Sequence, residues 1–243
     1  MLIRQGDKRN ERIDRWLASV LASVAGGLNA AVFHAVGFFS ANMTGNVSAL
    51  SSLLAYGRWL QGLGYLSIVM TFVGGAMAST LVIDAGLRRG MRPIYARVVI
   101  AEALLLALLW LTEVALPRLV SGVPLLILGL SFLMGLQNAV VTHISNARIR
   151  TTHVSGMATD VGIELAKLVH QRRQRDKAGE NEELVTKLRL HLQTIGFFLA
   201  GGIVGVLLYR LIGIGTLLIA SLPLLLISVP PVWGARKTSA RAR

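Results

Sequence analysis

Gly26-Gly27-Leu28-Asn29-Ala30-Ala31-Val32-Phe33-His34 and Gly135-Leu136-Gln137-Asn138-Ala139-Val140-Val141-Thr142-His143 share Gly, Asn, Ala, Val and His at one spacing, 109 positions apart. After a two-residue insertion the match resumes, with Thr44-Gly45 over Ser155-Gly156 and Leu54-Ala55 over Leu165-Ala166. A third echo follows in Gly74-Gly75 and Gly201-Gly202, each in a long apolar run after an aromatic. The chain therefore reads as two copies of one unit. Duplicated units that cross a bilayer in opposite directions are a recurrent design of transporters.

Composition identifies the solvent. Of 243 residues, 53% are hydrophobic, and the mean hydropathy is +0.61, which is too apolar for a soluble domain of this size. Apolar runs lie at about 16–40, 62–87, 94–117, 119–146, 190–210 and 212–234. A run of about 20 residues crosses roughly 30 Å of hydrocarbon at about 1.5 Å per residue. Two further runs, about 43–57 and 154–169, are interrupted by Gly and polar residues and are too short or too polar to span alone. The first fifteen residues carry Arg4, Lys8, Arg9, Arg12 and Arg15 with three acids, and the run that follows is too long for a signal-peptide core, so no cleaved leader is expected. With no cysteine, disulfides, thiolate metal sites and thiol nucleophiles are excluded.

The net charge of +13 raises the question of nucleic acid, but the positions of the 25 basic residues answer it as topology. They cluster before the first run, between the second and third (Arg88, Arg89, Arg92, Arg97), between residues 167 and 189, and after residue 235. Placing these clusters in the cytoplasm leaves only Arg58, Arg118 and Arg210 outside, each in a tight connection. Region 16–57 then starts inside and ends outside, while region 119–169 does the reverse, so the second unit is inverted relative to the first. The expected fold is an all-α integral membrane protein of two inverted repeats with three net spans each. That makes six net transmembrane helices plus two short re-entrant or broken helices. Its parts are a cytoplasmic segment 1–15, a first repeat 16–117, a second repeat 118–235 with a cytoplasmic loop at about 170–189, and a basic tail 236–243. No nucleic-acid partner is expected; the bilayer is the main one, and a homodimer is compatible with this plan.

The short segments carry the functional question. Asn42-Met43-Thr44-Gly45-Asn46 follows the first long helix, and Thr151-Thr152-His153-Val154-Ser155-Gly156 follows the second. Such residues cap helix N-termini, and each stretch reads as a break followed by a half helix. Non-helical backbone at membrane depth is tolerated where protein or a water-filled cavity satisfies it, and free N–H groups at helix starts favour an anion.

These motifs, with Met134-Gly135-x-Gln137-Asn138-Ala139, resemble the YoaK family of bacterial multispanning membrane proteins, over about residues 15–235. The resemblance implies a bacterial cytoplasmic-membrane protein, multi-pass with both termini inside, and supplies no substrate. Ser155 stands where the family pattern suggests a second Thr, which keeps the hydroxyl.

Expected contacts to a solute are Asn29, His34, Asn42, Thr44, Gly45, Asn46, Asn138, His143, Thr152, Ser155 and Gly156. The competing reading gives Asn and His to interhelical hydrogen bonds and Thr, Ser and Gly to capping. Asp160 and Glu164 share one helix face, opposite the apolar Ala49 and Leu53 of the first unit, and Glu102 lies inside the third span. As intramembrane carboxylates all three are candidates for proton or ion coupling; as interfacial groups they would pair with Lys167, Arg150 or Arg97. The glycine pairs read as close helix contacts. No catalytic, metal or cofactor motif occurs, so no cofactor or metal is expected. The leading function is a small secondary transporter or permease of a small solute, an anionic group being favoured. A non-transporting membrane scaffold or partner subunit is the alternative, and an intramembrane enzyme the third.

Overall fold

A computed structural model describes Leu2 and residues 11–91, 93–115, 125–173 and 178–240. Most of the basic N-terminal segment, Arg92, Arg118 with the boundary between the two units, residues 174–177 and the last three residues lie outside the described residues. Among the described residues eight α-helices follow one another: α1 Glu11–Val36, α2 Met43–Ala55, α3 Trp59–Arg88, α4 Ile94–Ala115, α5 Leu125–Ser145, α6 Val154–Arg173, α7 Ala178–Ile212 and α8 Thr216–Ala240. A 3-10 turn at Gly213–Gly215 joins the last two.

Local chemistry explains several boundaries. Glu11 and Asp14 sit in the first turn of α1, where the helix dipole favours acids. Gly37 ends that helix at φ +75°, a left-handed conformation that costs glycine nothing. Asn146, the counterpart 109 residues on, ends α5 at φ +52°. Its neighbour Ala147 follows at φ +60°, which a side chain resists.

Among the described residues five stretches are long and apolar enough to cross a membrane: Glu11–Val36, Trp59–Arg88, Ile94–Ala115, Leu125–Ser145 and Glu182–Gly234. The last takes in most of α7 and α8 with the turn between them. The chain thus has a multi-pass, membrane-type helical architecture. Its polarity is distributed accordingly. Met70, Met77, Leu104, Leu108, Leu111 and Leu211 face outward, whereas Ser79, Glu102, Ser131 and Gln137 are buried. α2 has 13 residues and reaches about 20 Å. α6, with 20 residues, extends beyond the expected segment because its last turns are polar and carry no hydropathy signal.

Packing follows an exchange between the first four helices and the last four. α1 lies along α7, α3 along α5, and α4 against α8; α2 rests on α3 and α6 on α7. Glycine makes the two long crossings close. A Cβ on Gly26 would run into the backbone carbonyl of Phe198, and one on Gly201 into the backbone of Ser23. At the other crossing, Gly135 faces the backbone of Phe72 and Gly75 that of Phe132. Gly74 meets nothing, so only one member of that pair is a contact glycine.

Candidate functional site

The break between α1 and α2 is built by short-range bonds. Phe38 packs on Tyr65 of α3 (ring centroids 5.1 Å apart) and Phe39 stacks on Phe33 of α1 at 4.0 Å. The Asn29 side-chain oxygen accepts from the Ala41 N–H at 2.8 Å, and the Asn46 amide donates to the Phe39 carbonyl at 2.9 Å. Asn42 caps α2 by accepting from the Gly45 N–H at 3.1 Å. Buried backbone groups that leave a helix need such partners.

The break between α5 and α6 is held from further away. Ser145 Oγ accepts from the Ile149 N–H at 3.1 Å, which secures the chain just after the left-handed pair. Arg148 reaches Asp14 of α1 at 3.1 Å. Thr152 Oγ1 donates to the Asn138 side-chain oxygen at 2.8 Å. Further along α6, the buried Glu164 carboxylate meets His191 of α7 at 3.1 Å.

Both breaks face one cavity of about 1370 Å³. α1 contributes Gly26, Asn29, Ala30, Phe33 and His34 to its wall. One face of α7, from Ile195 and Phe198 through Gly202 to Leu207, forms another wall, and Phe72 closes in from α3. Phe39, Ala41, Asn42, Met43 and Thr44 enter from the first break, and Arg150 with Thr152 to Gly156 from the second.

Of the expected solute contacts, Asn29, His34, Asn42, Thr44, Thr152, Ser155 and Gly156 therefore lie on one surface. Four others do not line it, each for a visible reason. Asn46 is turned to the Phe39 carbonyl, and Gly45 lies beneath the Asn42 cap. Asn138 is turned to Thr152, with its amide donating to the Met134 carbonyl at 2.7 Å. His143 faces α3, with its Nε2 3.3 Å from Thr80 Oγ1. Asp160, Glu164 and Glu102 are also off the cavity wall. Glu164 is engaged with His191, and Glu102 is buried in α4 facing Gln137 of α5.

The sequence reading missed the charge and the apolar lining of this cavity. Among the described residues that line it, Arg150 is the one Lys or Arg, and there is no Asp or Glu. A guanidinium stays protonated throughout the physiological range, so Arg150 is a permanent positive charge on this wall. The aromatic lining was detectable only as a coincidence of spacing: Phe72 and Phe198 each precede a contact glycine by three residues.

No curated protein and no solved structure matches this chain. The family described as "Protein of unknown function (DUF1275)" matches residues 17–229. That match covers almost all of the duplicated region and every residue of the cavity wall, so the chain belongs to the DUF1275 family, in which the YoaK-like proteins are included.

Proposed function

We propose that the protein is a small secondary transporter or permease, with its solute site between the two helix breaks. One observation carries the reading: breaks more than a hundred residues apart in sequence line a single cavity. Irregular backbone at membrane depth is stable where it borders such a space, and discontinuous helices around a central site are how transporters hold solutes.

The reading includes two inverted repeats, α1–α4 and α5–α8. The exchange of α1 onto α7 and α5 onto α3 supports it, as does the placement of Gly26 and Gly135 at equivalent crossings. α1, α3, α4, α5, α7 and α8 are the six spans, and α2 and α6 are re-entrant. The protein sits in the bacterial cytoplasmic membrane with both termini inside. Asn42, Thr44, Thr152 and Ser155 offer polar groups to the solute, while Asn29 and Asn138 position the breaks. Among the three carboxylates, Glu164 is assigned to coupling, because its imidazole partner can exchange a proton with it while α6 and α7 shift.

Flux in reconstituted vesicles tests this, using solutes first selected by thermal stabilisation of the purified protein. Thr44→Val and Ser155→Val remove hydroxyls at nearly constant volume, and Glu164→Gln removes only a charge. Each is expected to insert normally and to lower flux at least several-fold. Full flux in all three would make these groups structural and favour the scaffold alternative.

A further inference from the structure

The cavity combines features that together select a ligand. It is roomy, at about 1370 Å³, and mostly apolar, with Phe33, Phe39, Phe72, Phe198 and Leu199 among its lining. Against that background stands one guanidinium. Arg150 is exposed to the cavity, its Nη1 lying 3.6 Å from where a Cβ on Gly156 would be. Among the described residues no carboxylate pairs with it, whereas Arg148, two positions earlier, is taken up by Asp14.

Each alternative ligand class leaves part of this surface unused or in conflict. A small inorganic anion would exchange its hydration shell for aromatic walls and would leave most of the volume empty. A polyanion such as a nucleotide needs several cations, and the wall supplies one. A cation meets Arg150 with no compensating acid. A sugar requires a dense set of donors and acceptors that apolar walls withhold.

Building on the transporter reading above, we infer that the site takes a water-soluble organic monocarboxylate with an aromatic or aliphatic body. Its carboxylate is received by the Arg150 fork and its apolar body lies against the phenylalanines. A guanidinium binds a carboxylate through two parallel N–H···O bonds, a geometry lysine does not reproduce. Arg150 is the specificity-determining residue for charge, and the α7 face is the determinant of body size.

Phenylacetate and octanoate are the probes, with phenylethylamine, sulfate and glucose as controls. They are added to the full-length protein in phosphatidylcholine nanodiscs, where no anionic lipid competes. Thermal stabilisation by the two carboxylates alone is expected. R150Q should weaken their binding at least about tenfold and R150K by less, while L199A, at a position already 64% exposed, should weaken octanoate more than phenylacetate. Unfolding temperature without ligand is the control for folding in each variant. Stabilisation by phenylethylamine, sulfate or glucose that is indifferent to R150Q would overturn the monocarboxylate assignment while leaving the transporter reading in place. A cavity filled by lipid would overturn it equally: phosphatidylglycerol would then stabilise in an Arg150-dependent way and phenylacetate would fail to compete. Arg150-dependent binding of phenylacetate without flux in vesicles would uphold the site and refute transport.

Discussion

Asn29 accepts from the Ala41 N–H and, in the second unit, Asn138 accepts from the Thr152 hydroxyl, both at 2.8 Å, although one bond is to backbone and the other to a side chain. Each duplicated asparagine ties the end of its long helix to the break that follows. Asn29→Ala leaves a buried N–H without a partner and should cost about 1–3 kcal/mol; Thr152→Val leaves Asn138 its bond to Met134 and should cost about 1 kcal/mol or less. Thermal unfolding in one detergent compares the two. Equal losses would show that the breaks do not depend on these bonds in the way described.

Gly26→Ala and Gly135→Ala should each destabilise by about 1–3 kcal/mol, since the added methyl meets a carbonyl of the facing helix. Gly74→Ala meets nothing and should stay within about 0.5 kcal/mol of the parent. The same unfolding assay ranks all three, and a costly Gly74→Ala would contradict the crossing geometry.

At Gly37 the issue is backbone rather than space. Nothing lies near a Cβ there, yet φ is +75°, so Gly37→Ala should cost about 1–2 kcal/mol through conformation alone. Gly162→Ala, inside a helix and equally uncrowded, is the control and should be neutral or mildly stabilising.

Glu164 and His191 join a polar helix to a spanning one through a buried contact. A double-mutant cycle with Glu164→Gln and His191→Gln should return a coupling of about 0.5–3 kcal/mol. A coupling near zero would mean that α6 is held on α7 by apolar packing alone.

Single cysteines at Arg58, Arg89, Lys187 and Arg210, in a chain that has none of its own, report sidedness. An impermeant thiol reagent applied to intact cells should label positions 58 and 210 and spare 89 and 187. Labelling of 89 would reverse the first unit and remove the inverted arrangement.

Where several long apolar helices fall was legible from the apolar runs: the helices from Trp59, Ile94 and Leu125 match theirs within a few residues over the described chain, whereas α7 begins at Ala178, well before the run expected at 190–210. Caps were legible too: Asn42 caps α2 as its residue type suggests. Other features needed three dimensions. The partner of Glu164 lies 27 residues away on another helix, where no periodicity points. Arg150 read only as an interfacial partner for a nearby carboxylate, since sequence cannot tell a guanidinium facing a cavity from one facing the cytoplasm. Conversely, the equivalence of His34 and His143 suggested a shared role, yet one lines the cavity and the other turns to α3, because each ring takes the space its own neighbours leave.

Gly26, Phe198 and Gly202 belong at once to the α1–α7 crossing and to the cavity wall. Deepening the cavity at that point would require prising two long helices apart, and drawing the helices closer would fill it. Volume there is a property of the helix pair and not of any side chain. Cavity size can therefore be altered only at the outer positions of α7, such as Leu199, Ile203 and Leu207, where a residue can change without moving its helix.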